Sequence, residues 1–169
     1  MSQDKCSWTC RTAASVAVAA AAAVTLGSTI HVALANPVLN LPGRWSGPGS
    51  IVMSSGEKEQ MRCVATYFVE GSGATVKQNL RCASQGYKID ATTNLLVANG
   101  RVSGAWEERT WDTKGSIKGD VNGDAFNLTI DGPGFSAAMA VKTDTCKQSI
   151  SITPRANTVA RISMNLGKC

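Results

Sequence analysis

Six cysteines, one histidine and a few acidic clusters are the residues of this chain whose chemistry goes beyond packing. Cys63 and Cys82 bracket the stretch RCVATYFVEGSGATVKQNLRC, and Cys146 and Cys169 bracket the C-terminal region. Four cysteines at wide spacing can ligate a metal, form a redox pair or staple the chain. Neither Cys63 nor Cys82 stands in a C-x-x-C arrangement, which a redox pair or a four-cysteine zinc site would call for. Which chemistry applies depends on the compartment.

The N-terminus supplies that answer. Lys5 and Arg11 precede an apolar tract from Ala13 to Leu26, and Ala33-Leu34-Ala35 stands just before Asn36-Pro37. Basic region, apolar region and a small-x-small site are the parts of a secretory leader. Cleavage after Ala35 is therefore expected, rather than retention as a membrane anchor, with a periplasmic or secreted product. The leader carries His31, the only histidine, together with Cys6 and Cys10. Its loss would remove the base of Ser-His-Asp and Cys-His catalysis and every histidine metal site. The remaining Cys63, Cys82, Cys146 and Cys169 then read as two disulfides of an exported domain.

Removing residues 1–35 from 169 leaves 134, enough for one domain over 43–169 with a lead-in over 36–42. The whole chain carries +5; losing Lys5, Arg11 and Asp4 leaves +4. That mild, spread excess implies no nucleic-acid partner, although it would weakly favour anionic envelope surfaces.

After Ala35 no run shows apolar residues at helical spacing. Short alternating runs recur instead, as in a sandwich or barrel. In QMRCVATYFVE one face holds Met61, Cys63, Ala65, Tyr67 and Val69; in TVKQNLRCAS it holds Val76, Gln78, Leu80 and Cys82. Asn99-Gly100 and Asn122-Gly123 carry the strongest short hairpin signal, and Asp131 to Gly134 and Pro154 to Asn157 read as further turns. A turn on Asn122-Gly123 sets Ile117 opposite Leu128 and Gly119 opposite Phe126. Consecutive hairpins make an antiparallel meander, and a lipocalin-like up-and-down barrel hides its edges most simply. A turn centred between Ser72 and Gly73 places Cys63 opposite Cys82 as a staple. Cys146 and Cys169 would pin the last strand, although a turn at Pro154 to Asn157 sets Cys146 nearer Asn165.

Other clusters carry less. Asp120-Val-Asn-Gly-Asp124 with Asp131 has calcium-loop spacing, but Ala125 takes the place where such a loop needs glycine, so an ordinary hairpin is the better reading. Alternation puts Val102, Gly104, Trp106 and Glu108 on the inner face, with Glu107 opposite, which excludes a glycosidase carboxylate pair. Glu108 near Trp111 is either a holder for a ligand's polar head or a rim residue paired with a basic neighbour. Arg62, Lys77 and Arg81 share an outer face with one aromatic, Phe68, too few rings for a single-stranded nucleic acid platform.

Gly43-Arg44-Trp45, Arg62-Cys63 with Tyr67, Leu80 to Ser84 and Val102-Ser103-Gly104 together carry a resemblance to small exported alphaproteobacterial proteins of lipocalin-like appearance. True lipocalins are similar through the G-x-W start alone. A second analogy is to small periplasmic inhibitors of secreted metalloproteases, which also use a stapled barrel. The expectation is a monomeric barrel, not an enzyme and without cofactor or metal, that binds a small apolar ligand or an envelope component. Trp45, Tyr67, Trp106, Glu108, Phe126 and Met139 are the candidate ligand residues. The alternative is a protein-interaction or inhibitor-like module in which those side chains simply fill the core.

Overall fold

The computed structural model describes residues 37–155 and 158–168. The expected leader over residues 1–35, two residues of the last turn and Cys169 lie outside them. A short 3-10 turn, Pro37–Asn40, leads into ten strands: β1 Gly43–Met53, β2 Lys58–Glu70, β3 Thr75–Ala83, β4 Lys88–Ala98 and β5 Arg101–Glu108, then β6 Thr113–Asn122, β7 Ala125–Gly132, β8 Phe135–Thr143, β9 Lys147–Pro154 and β10 Val159–Gly167. Each strand pairs antiparallel with its neighbour in sequence, and β1 pairs with both β2 and β10. The meander therefore closes into a barrel with no free edge. The β1–β10 pairing skips Gly47 and Pro48, so the proline lacking an N–H falls where its ladder bond would be missed least.

The turns follow residue chemistry. Asn99 and Gly100 both take positive φ, 51° and 74°, the two-residue loop that twists with its strands. The β6–β7 hairpin departs from the sequence expectation. Its loop is Gly123-Asp124, with Asn122 paired to Ala125, so Ile117 faces Ile130 and Gly119 faces Leu128. Gly123 takes φ 56° and Asp124 does not, which is the glycine-first loop; the glycine and not the asparagine sets the centre. The shift is two residues, so the inner face is unchanged. Between Ser72 and Gly73 the expected turn does form, and Cys63 is paired directly with Cys82 and disulfide-bonded to it. At the C-terminus Ser149 pairs with Asn165, and the Lys168 N–H donates to the Cys146 carbonyl at 3.1 Å. Cys146 therefore stands opposite Lys168, the residue before Cys169, and not opposite Asn165 as expected from a tighter turn.

The two barrel ends differ. At the end where β1 begins, Val38 and Leu41 sink into the core, 0% and 4% exposed, and cap the interior. The Trp45 indole N–H donates to the Leu41 carbonyl at 2.7 Å. Lys168 Nζ lies 4.7 Å above the Trp45 ring and donates to the Asn40 carbonyl at 2.7 Å. This end is sealed by the lead-in, which hydropathy pattern alone left unassigned. The opposite end is ringed by half-buried Met53, Tyr87, Ile89, Phe135 and Val159.

Several inward positions are glycine because the neighbouring backbone occupies the space. A Cβ on Gly104 would run into the Asn94 carbonyl, and one on Gly119 into the Asn127 carbonyl. Such glycines let strands bend tightly as the sheet closes. Gly104→Ala is accordingly expected to lower stability by about 1–3 kcal/mol, whereas Ser103→Ala on the exposed face should stay within about 0.5 kcal/mol. Urea midpoints measure both; equal midpoints would show that the sheet tolerates a side chain there.

Candidate functional site

Inside the barrel the polar residues follow one row of the sheet. Tyr67 on β2 pairs with Gln78 on β3, and Gln78 pairs with Thr93 on β4. Alternation puts all three inward, so side chains that are polar at their tips meet within an apolar lining. The Thr93 hydroxyl donates to Gln78 Oε1 at 3.1 Å, Gln78 Nε2 to the Tyr67 oxygen at 2.8 Å, and the Tyr67 hydroxyl to Gln148 Oε1 on β9 at 2.9 Å. Burial pushes the Tyr67 phenol well above its ordinary pKa, against the opposing pull of its bonds to Gln148 and Gln78, so it stays neutral. Hydrogen bonds that all run one way polarise one another in a medium that screens them little.

The sequence-derived candidates divide between the two ends. Trp45, Tyr67 and Phe126 are buried on strands near the sealed end. Trp106 lies further along, where its indole N–H donates to the Asp131 carbonyl at 3.3 Å and its ring meets Phe135 edge-on, centroids 5.9 Å apart. Met139 is half-buried between Leu128 and Ile152. Gln78, Thr93 and Gln148 were missed as a group. Inward-facing amides in alternating runs were the available signal, but only the barrel shows that β9 reaches Tyr67.

Glu108 is neither a wet rim residue nor paired with a basic side chain. It is 8% exposed, and its two oxygens accept the backbone N–H groups of Asp90 and Trp111, each at 2.8 Å. The carboxylate thereby ties the β5–β6 loop to β4; within that loop Asp112 takes a φ of 47°. Outside the barrel, Arg81 and Arg109 both bridge to Asp90, and Lys77 lies 3.8 Å from Glu70. Exposed pairs of this kind contribute little to stability. Among the described residues no group of three or more His, Cys, Asp or Glu side chains is placed to hold a metal ion.

At the open end the β3–β4 loop folds back over the rim. The Ser84 side chain and the Gly86 N–H hold Glu59 below its ordinary carboxylate pKa of 4.5, and the Tyr87 hydroxyl reaches Met53 Sδ at 3.4 Å. Because the folded-state pKa is depressed, this attachment is complete above about pH 4.5 and is lost as pH falls through the lowered value. The Gly86 amide shift should therefore titrate with a midpoint below 4.5. Persistence of that titration in Glu59→Gln would assign it to another group.

Two surface depressions lie on the β7–β10 side, about 290 Å³ and 470 Å³; Ser149 and Asn165 line both, and the larger is also bordered by Gln148, where the interior row reaches β9.

The chain matches no protein-family model and no curated protein. Solved structures do resemble it. The Rv2717c protein of M. tuberculosis superposes with a TM-score of 0.60 at 15% identity, over 81% of this chain and 99% of that one. The S-type phycobiliprotein lyase CPES of Guillardia theta superposes with a TM-score of 0.53 at 9% identity, over 77% and 88%. At these identities the likeness is one of fold. The chain is a ten-strand antiparallel barrel that shares its fold with both.

Proposed function

We propose that this protein is an exported, non-enzymatic barrel that holds a small, largely apolar ligand, admitted through the end ringed by Met53, Tyr87 and Phe135. One observation carries this: the inner wall is packed on one side and open on the other. The inward residues of β2 and β3, from Met61 to Tyr67 and from Val76 to Cys82, are buried. Their counterparts on β4, namely Ile89, Ala91, Thr93, Leu95 and Val97, are all half-buried. Beside β4, Gly104 on β5 and Gly115 and Gly119 on β6 put no side chain into the interior. A barrel filled evenly by side chains would bury every wall alike.

The shared fold with a phycobiliprotein lyase supports a role in handling another molecule, without naming one. The leader-like N-terminus and the disulfide support an oxidising compartment. Native mass spectrometry of the exported chain should retain a co-purifying small molecule, and apolar dyes should brighten on binding and be displaced by it. A clean apo mass with no dye response would sink the proposal. Capture of a discrete envelope protein by such a ligand-free chain would instead support the interaction-module alternative.

A further inference from the structure

The interior row ends on a hydrogen-bond donor that meets no acceptor among the described residues. Thr93 donates to Gln78, Gln78 to Tyr67 and Tyr67 to Gln148, and each bond uses an acceptor on the next residue. Gln148 is 2% exposed, and its Nε2 is a buried side-chain nitrogen with no partner among the described residues. Leaving such a donor unmet costs about 1–3 kcal/mol, and the three bonds behind it make its protons more acidic than those of an isolated amide. A buried amide in that state is a site for an acceptor atom.

We propose that Gln148 Nε2 is the polar anchor of the barrel's ligand, and that the group it binds is a single uncharged oxygen, such as a ketone, aldehyde or ester carbonyl, on an otherwise apolar molecule. This rests on the ligand-binding function proposed above and narrows its chemistry. The head group follows from the donors present. Tyr67 already donates to Gln148 and accepts from Gln78, so it has no proton left to offer. Among the described residues the buried polar and charged side chains are Ser50, Gln78, Glu108, Thr143 and Gln148, none of them cationic. Lys168, the cation at the sealed end, is engaged with the Asn40 and Pro42 carbonyls and the Trp45 ring. A carboxylate brought here would meet one amide and no counter-ion. It would either bear the heavy cost of burying its charge or first take up a proton, which itself weakens binding at neutral pH. One carbonyl oxygen matches one free donor.

Titration of the full chain with octane, 2-octanone and octanoate tests this. In the wild-type protein 2-octanone should bind about fivefold to tenfold tighter than octane, the effect of one added hydrogen bond. Octanoate should bind more weakly than 2-octanone. Gln148→Met keeps the side-chain volume and should bring the ratio of 2-octanone to octane affinity, measured within that variant, to about one. Should that variant not fold, the wild-type side-chain amide resonances of Gln148 decide the matter: they should shift on addition of 2-octanone and stay in place with octane. Equal binding of 2-octanone and octane, with the Gln148 amide bonded to an ordered water only, would overturn the anchor and leave ligand binding intact. Octanoate as the tightest probe would overturn the uncharged head group. Binding of none of the probes would overturn the ligand-binding function together with the anchor.

Discussion

Replacing Trp45 with alanine is expected to cost about 3–5 kcal/mol, the range for deleting a large buried aromatic side chain. Three separate losses converge on that one position. The ring is 0% exposed within the core cluster, so its removal leaves a void that the closed barrel can relax into only partly. The Leu41 carbonyl loses its 2.7 Å indole donor at a buried site. Lys168 loses the ring face beneath its ammonium group, although its bonds to the lead-in carbonyls remain. Against a typical net stability of about 5–15 kcal/mol, that is a large share of the total. Trp45→Phe separates the contributions: it keeps most of the buried area and loses the indole bond, and about 1–2 kcal/mol is expected. Urea unfolding gives the magnitudes, and amide exchange at Val38 and Leu41 reports whether the sealed end opens first. An unchanged midpoint in Trp45→Ala would show that the lead-in does not seal the barrel.

The second large effect concerns the staple. Cys63→Ser with Cys82→Ser removes a bridge between residues separated by 19 in sequence, and the loop-entropy estimate for that size is about 3 kcal/mol. The sulfurs are also core atoms, since Cys63 and Cys82 are 1% and 2% exposed and Cys82 Sγ lies 3.7 Å from Met164 Sδ on β10. Two serine hydroxyls in that environment would need partners that the apolar wall does not offer, so Cys→Ala at both positions should be less harmful than Cys→Ser. The difference between the two double variants, read from thermal midpoints, isolates the polar cost from the loss of the cross-link. Equal stability of the wild-type protein with and without reductant would show that the bridge adds nothing beyond the hairpin register.

The pairing of Cys63 with Cys82 was legible because a turn centred between Ser72 and Gly73 sets the two sulfurs opposite one another, and a bridge between them singles out that register from those shifted by two. The β6–β7 hairpin was legible only to within two residues. Asn122-Gly123 and Gly123-Asp124 both suit a tight loop, and a shift of two keeps every side chain on its own face, so hydrophobic pattern cannot choose between them. Trp45, Tyr67, Trp106, Glu108 and Phe126 were all readable as inward by parity alone, and all five are buried. What Glu108 does was not readable. Its partners are backbone N–H groups of Asp90, one strand away, and of Trp111 across a loop.

The sequence by itself determined the strands, their inward and outward faces and one disulfide, because these follow from a period of two and from turn residues acting over a few positions. Closure decided the rest. Only when β1 meets β10 does Gln148 come within reach of Tyr67, does the lead-in find an end to seal beneath Lys168, and does the wall at β4 stay half-open while β2 and β3 fill. Those relations join residues up to 128 positions apart, as Asn40 and Lys168 are. Contacts at such separation depend on how the sheet curves and shuts, which no local pattern encodes.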